Sequence, residues 1–304
     1  MNQPSPAPVT SHATAAAVTH YENFPVASLL CPPHLRPAIA AIYHFARTAD
    51  DLADEGSAST STRLSDLCAY RADLLAVADS LANVLPAQIS QRWPQVFGPL
   101  HSVMQAHQLP VNLLTDLLDA FEQDVRFTAE QRRYATDAEL LDYCTRSANP
   151  VGRLLLHLYG VTDAASLQQS DAICTALQLI NFWQDVSVDV ARQRWYPSTD
   201  SMARFEVVDA DLAPDSRSPK AAQLIAYYAG AARARMLKGA QLAVHLPGRA
   251  GWELRLVVQG GLRILDKIEA LGFRTWQQRP RLTLWDLPLL LWRAWCMPAA
   301  KPSD

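Results

Sequence analysis

The sequence predicts an all-α protein folded as one helical domain, on three observations. Ala and Leu dominate a chain in which 49% of residues are apolar, and residues of that kind are good helix formers. Apolar residues seldom alternate strictly with polar ones, the pattern a half-buried strand would need. Pro, Gly and Ser punctuate the helical periodicity at positions that suit helix ends. At 304 residues the chain is long enough to bury a sizeable core. No internal repeat or shift in composition marks a second domain, so residues 21–297 read as a single helical domain.

The elements follow in order. Residues 1–20, rich in Pro, Ala, Ser and Thr, read as a disordered lead-in, because they lack the basic start and continuous apolar segment of a signal peptide. Pro32 and Pro33 open a helix expected from about His34 to Ala53, which the Gly56–Ser61 cluster ends. Further helices are expected over Ser65–Leu85 and Val111–Phe127, with Pro86 and Pro110 as punctuation. Thr136 followed by Glu139 is a capping-box signal for a helix running to about Tyr159. A helix is expected from Ala172 to about Arg194, then a polar loop over Ser198–Ser218, then helices near Lys220–Val244 and Glu253–Ala270. Leu282–Met297 is interrupted by Asp286, Pro288 and Arg293, so it falls short of the roughly 18–20 apolar residues that cross a bilayer. Its Trp285, Trp292 and Trp295 suit a membrane interface, or equally a helix packed on the fold. Residues 298–304 read as a short tail.

Two acidic pairs carry the chemistry. Asp50, Asp51, Asp54 and Glu55 cluster at the end of the first helix, with Asp50 and Asp54 one turn apart. Like charges at that spacing destabilise a helix by a few tenths of a kcal/mol, which a divalent cation would offset. Stepping back along the same face brings Arg47, Tyr43 and Arg36 into line, so carboxylates, guanidinium groups and a phenol share a stripe. A solvated helix end would also look like this. The second pair, Asp185 and Asp189, follows Asn181 at one-turn spacing on a helix otherwise built of Leu177, Leu179, Ile180, Phe182, Trp183, Val186, Val188 and Val190. Two ionised carboxylates on so apolar a helix face a large desolvation penalty unless they meet a polar cavity or a metal. Acidic pairs on two helices are what a magnesium cluster for a diphosphate needs, because magnesium prefers oxygen ligands and bridges carboxylates to phosphates.

Together these motifs resemble the squalene/phytoene synthase branch of the class I isoprenoid synthases, over about residues 20 to 295. Asp50–Glu55 is similar to the family's first acidic motif and Asn181–Asp189 to its second, and Arg194, followed by Trp195, Tyr196 and Pro197, matches an arginine that contacts diphosphate. Tyr143–Gly152 resembles the segment lining the family's reaction cavity, but Ser147 and Asn149 stand in place of Val and Gly, Pro150 follows, and Gln184 replaces a common Arg. These departures, with the opening Glu22–Ser28 and the late Gly260–Glu269, look like the hydroxysqualene synthase subgroup.

The resemblance implies a helical bundle around a central cavity. It implies Mg2+ as cofactor, held by Asp50, Asp51, Asp54, Asp185 and Asp189, and an isoprenoid diphosphate substrate contacted by Arg36, Arg47, Asn181, Gln184 and Arg194. Tyr43, Tyr143, Ser147 and Asn149 are the candidate catalytic residues. Ser147 and Asn149 either offer polar partners to a reacting water or only satisfy backbone around Pro150. The implied reaction converts presqualene diphosphate and water to hydroxysqualene and diphosphate. The alternatives are a presqualene diphosphate or squalene synthase acting on farnesyl diphosphate, or a non-catalytic helical assembly factor.

Other features exclude more than they propose. A net charge of −3 gives no electrostatic footprint for nucleic acid. No glycine-rich phosphate loop, zinc spacing or nucleotide fingerprint is present, which argues against tightly bound NADPH. Five dispersed cysteines read as reduced, buried thiols of a cytoplasmic protein, one open to peripheral contact with the inner face of the membrane and to coupling with other squalene-pathway enzymes. Asp116, Asp119, Glu122 and Asp124 read as a solvated acidic face.

Overall fold

The computed structural model describes residues 31–82 and 90–298. The expected lead-in, most of the tail and the segment Glu22–Ser28 lie outside the described residues. Among the described residues every regular element is helical.

The chain opens with α1 (Arg36–Asp54), whose Ala38, Ile39, Ile42, Phe45, Ala49 and Ala53 form one buried stripe. Pro37 sits in its first turn, where its missing N–H has no intrahelical partner to lose. Next come α2 (Thr60–Ala82), α3 (Pro94–His107) and α4 (Val111–Glu130). The sequence analysis missed α3, whose pattern Pro99 interrupts; Pro94 starts it and left-handed Gln108 (φ 52°) ends it. These helices enclose one core, in which Tyr70 stacks on Phe45 at 5.1 Å and donates its hydroxyl to the Phe45 carbonyl at 3.1 Å.

The helix expected from Thr136 to Tyr159 is two, α5 (Asp137–Ser147) and α6 (Asn149–Leu158), meeting at Ala148 (φ −120°, ψ −47°). Pro150 has no N–H to give the Arg146 carbonyl and its ring crowds that carbonyl, while Asn149 before it is disfavoured in the α region. The Thr136 cap forms as expected, its side chain accepting from the Glu139 N–H at 3.2 Å.

The helix expected from Ala172 to Arg194 begins earlier and is also divided, into α7 (Ala164–Gln184) and α8 (Val186–Ala191), with Asp185 at the junction. Asp185, Ser187 and three β-branched valines are poor helix formers, which weakens the ladder there. The expected loop carries the short α9 (Thr199–Arg204) and a 3-10 turn, Asp209–Leu212. Then follow α10 (Pro219–Gly239), α11 (Leu242–His245), α12 (Gly248–Ala270) and α13 (Leu287–Trp295).

A second core lies among α5, α7, α10 and α12. Glycines set how closely these helices approach α7. A Cβ on Gly239 would lie 2.4 Å from the Gln169 carbonyl oxygen, and one on Gly152 of α6 would lie 2.4 Å from Ser170 Oγ. Two helices belong to both cores: α4 gives Ala120 to one and Leu114 to the other, and α6 gives Leu156 and Leu154.

Of the cysteines, Cys31 and Cys144 are buried and Cys174 is half-buried, whereas Cys68 and Cys296 are exposed, against the expectation that all are buried. Cys68 lies on the solvent side of α2, one residue past the buried stripe position Leu67. No described helix is long and apolar enough to cross a membrane.

Candidate functional site

The site forms where the two cores meet. The C-terminal turn of α1 brings Asp50, Asp51 and Asp54 from one core, and the α7/α8 junction brings Asp185 and Asp189 from the other. Arg194, just past α8, reaches across and pairs with Asp54 through Nη2 and Oδ1. The two acidic motifs, 131 residues apart at their nearest members, are thereby joined.

Both acidic motifs meet arginines. Arg47 lies 3.0 Å from Asp50, 2.8 Å from Asp51 and 3.0 Å from Glu55. Arg279, from the segment before α13, holds both carboxylate oxygens of Asp185, Nη2 lying 2.8 Å from Oδ2. The break at Asp185 does not undo the one-turn relation of the second pair, because the Asp189 N–H still donates to the Asp185 carbonyl at 2.9 Å. Asn181 stands one turn earlier, its carbonyl accepting from the Asp185 N–H at 2.9 Å. Burial pushes the Asp189 carboxyl up to about 7, helped by the negative charge of Asp185 and opposed by Arg192 and Arg279. Burial likewise raises Asp50, against the pull of Arg47.

A third carboxylate joins them. Asp124 on α4 accepts a 2.7 Å hydrogen bond from the Tyr143 hydroxyl, and burial raises its carboxyl to about 7, with Asp50 adding repulsion and the Tyr143 hydrogen bond opposing. The expectation of a solvated acidic face on α4 is therefore corrected. Asp119 and Glu122 pair with Arg71 at 2.6 and 2.9 Å, and Asp124 turns inward. The signal was present in the periodicity: Leu113, Leu117, Ala120 and Asp124 recur at three- and four-residue spacing, which puts Asp124 on the buried stripe.

Aromatic rings line this region. Phe182 stacks on Tyr196 at 3.7 Å, Tyr143 lies 6.3 Å from Phe182, and Tyr134 lies 5.8 Å from Tyr143. Trp183 stacks on Tyr228 of α10 at 4.0 Å. A small open pocket of about 30 Å³, enough to admit a water, is bounded by Asp124, Tyr134, Arg194 and Tyr196 among others.

The remaining sequence-selected residues are placed as follows. Asn149 is buried, and its Oδ1 accepts from the Thr175 hydroxyl of α7 at 2.9 Å. The Ser147 Oγ is buried with no hydrogen-bond partner among the described residues. Tyr43 is half-buried one turn before Arg47, edge-on to the His44 ring at 5.6 Å. Gln184 donates its amide to the Pro280 carbonyl at 2.8 Å, which ties α7 to the segment carrying Arg279. Arg36 stands at the opposite end of α1 from Asp50, roughly 20 Å away at 1.5 Å per residue, where Nε donates to the Cys31 carbonyl at 3.1 Å. The structure does not bring Arg36 to the acidic cluster, because sharing a helix face does not shorten distance along the axis. Arg279 was missed by sequence reasoning; it lies 94 residues from its partner in a loop without periodicity.

Among the described residues no three His, Cys, Asp or Glu side chains converge tightly enough to hold a metal ion by themselves. The donor set nonetheless suits a hard cation shared with a ligand. It is all carboxylate oxygen, comes from two acidic motifs linked by Arg194, and is neutralised in this structure by guanidinium groups that a diphosphate could equally engage.

Comparison with known proteins fits this geometry. A squalene/phytoene synthase family model matches residues 17–286. A hydroxysqualene synthase of Sinorhizobium fredii is 30% identical over 276 residues, covering 90% of this chain and 87% of that protein. One of Zymomonas mobilis is 39% identical over 193 residues, covering 63% of this chain and 59% of that protein. The crystal structure of squalene synthase HpnC from Alicyclobacillus acidocaldarius superposes with a TM-score of 0.72 at 33% identity, over 84% of this chain and 90% of that one. With the helical bundle, the family match over most of its length and these relatives, the chain belongs to the squalene/phytoene synthase family of isoprenoid synthases.

Proposed function

We propose that this protein is a hydroxysqualene synthase that converts presqualene diphosphate and water to hydroxysqualene and diphosphate. The observation that supports diphosphate ionisation is the Arg194–Asp54 pair, which links the end of α8 to the first acidic motif, with Arg279 holding Asp185 of the second. The product assignment leans on the hydroxysqualene synthase relatives and on the Ser147–Asn149 segment.

Asp50, Asp54, Asp185 and Asp189 would hold Mg2+, with Asp51 beside them. Bound there with the substrate, the ion supplies charge that neutralises the departing diphosphate. Arg47, Arg194 and Arg279 exchange carboxylate partners for phosphate oxygens, to which the guanidinium fork is equally suited. Asn181 adds an amide and Tyr43 a phenol at the same end.

When the carbon–oxygen bond breaks, its electron pair leaves with diphosphate and a carbocation remains. The rings of Tyr143, Phe182 and Tyr196 face such charge with their electron-rich faces, and the packed interior keeps out bulk water. After rearrangement one water adds through its oxygen to the cation, and its proton leaves to a diphosphate oxygen. Ser147 Oγ has an uncommitted hydrogen bond for that water, and Asn149 beside it is fixed by Thr175.

The test is product analysis with presqualene diphosphate or farnesyl diphosphate supplied separately, with and without magnesium and NADPH, in oxygen-18 water. Labelled hydroxysqualene from presqualene diphosphate, needing magnesium and indifferent to NADPH, is expected. NADPH-dependent squalene would replace this reading. Ser147→Val with Asn149→Gly should leave diphosphate release within about threefold and divert most product to other alcohols or eliminated hydrocarbons. An unchanged hydroxysqualene fraction would place the water elsewhere.

A further inference from the structure

The C-terminal segment, a 3-10 turn (Leu284–Asp286) leading into α13, has a buried side and an exposed side. Asp286, Leu290 and Ala294, four residues apart, face the body of the protein and are buried. Trp285, Trp292 and Trp295 recur at seven- and three-residue spacing on the other side and are 91%, 67% and 71% exposed. Leu284 (82%), Leu287, Leu291 and Leu282 are exposed beside them. Single exposed apolar residues are ordinary, but three tryptophans and four leucines on one short segment are not.

This face is held rigidly outward. Asp286 pairs with Arg263 and Lys267 of α12, both at 2.7 Å, and Arg293 with Asp266 at 2.6 Å, so polar anchors fix the inner side of α13. The rim is basic. Arg255 lies over the Trp252 ring at 5.2 Å, Trp252 is 5.9 Å from Trp295, and exposed Arg281 directly precedes Leu282. Of the four arginines in residues 274–298, Arg279 and Arg293 pair inward with Asp185 and Asp266, and Arg281 is exposed on the rim.

We infer that the outer face of α13 and of the turn before it is a docking surface for an anionic phospholipid bilayer, with Trp285, Trp292 and Trp295 seated at headgroup depth and Arg255 and Arg281 against lipid phosphates. A helix of nine residues is too short to cross a bilayer but lies readily in the interface plane, where indole rings are favoured. The charge argues against a second copy as the occupant: a two-fold contact through this face would set the basic rims of two copies against each other. Arg279, which clasps Asp185, is six residues before Trp285, no more than about 20 Å along the chain. Docking thus sets the candidate site close to the bilayer. If the proposed reaction holds, its apolar substrate and product dissolve in that bilayer.

The experiment is flotation of the full chain with phosphatidylcholine vesicles, with and without phosphatidylglycerol, alongside its tryptophan emission. Wild type should float with the anionic vesicles, less so in high salt, with a blue shift. Trp285→Ala with Trp292→Ala should lower partitioning about tenfold or more and abolish the shift, while circular dichroism and turnover of detergent-dispersed substrate stay unchanged. Arg281→Glu should weaken anionic-vesicle binding and flatten its salt dependence. Wild type that never floats, or a double variant that floats equally, overturns the inference. So does a concentration-dependent dimer that the double variant abolishes without any flotation. Flotation is read without turnover, so an inactive chain that floats sinks the proposed reaction and leaves docking standing.

Discussion

Asp185 and Asp50 illustrate how one carboxylate can matter for chemistry and little for folding. Each is partly accessible and meets an arginine on the protein side, so Asn in its place removes charge without opening a hole in either core. Asp185→Asn or Asp50→Asn should lower turnover by about two to three orders of magnitude, with melting temperatures within a few degrees of wild type; near-normal turnover would remove that residue from the cluster. Asp124 should behave differently, because its carboxyl is held up to about 7, against 3.8 ordinarily, by burial. The folded protein therefore binds this proton more tightly than the unfolded chain. The penalty for ionising Asp124 is fully present above about pH 7 and is relieved as pH falls toward 4. Asp124→Asn should be more stable than wild type at pH 8 by on the order of 2 kcal/mol, lose that advantage below about pH 5, and turn over more slowly. Melting curves across pH decide it: parallel profiles for the two proteins would show that Asp124 titrates normally.

At the scale of elements, α10 contains a controlled comparison. Gly239 meets the backbone of α7, and an added Cβ would lie 2.4 Å from the Gln169 carbonyl oxygen, whereas a Cβ on Gly230 would have nothing within 4 Å. The same substitution should have opposite signs at the two positions. Gly239→Ala should cost about 1–3 kcal/mol through overpacking, and Gly230→Ala should stabilise by about 0.5–1 kcal/mol through helix propensity. Denaturant midpoints measure both, and a gain at both positions would show that α10 does not approach α7 as described. The helix breaks at Ala148 and Asp185 also belong to this scale. Pro150 announces the first in the sequence. The second is quieter, since weak formers lower helix propensity over a stretch without naming the residue at which the ladder yields.

For the whole molecule, the seam between the two cores is the proposed functional feature. Arg194–Asp54, Arg279–Asp185 and Arg47–Asp50 neutralise acids that would otherwise repel across it. On the proposed mechanism, a diphosphate would draw the arginines from the carboxylates and add its own oxygens, so that both together would hold Mg2+. Magnesium or inorganic pyrophosphate alone should therefore shift the melting temperature little, and both together should raise stability by about 2–3 kcal/mol at a hundredfold excess over the dissociation constant. A full shift from magnesium alone would mean that the acids form a complete site unaided.

The sequence by itself determined the helical class, both acidic motifs and the one-turn spacing within each, because these depend on local periodicity and residue chemistry. It also held the clue to Asp124, whose place on an apolar stripe outweighs its acidic neighbours. The tertiary structure decided which groups meet. Arg279 joins Asp185 across 94 residues, Arg194 joins Asp54 across 140, and Arg36 is left at the far end of α1 although it shares a face with Asp50. Local pattern fixes the direction in which a side chain leaves its helix. The arrangement of the two cores fixes what that side chain reaches: Arg194 crosses from the end of α8 to α1, and Gln184 ties α7 to the segment before α13.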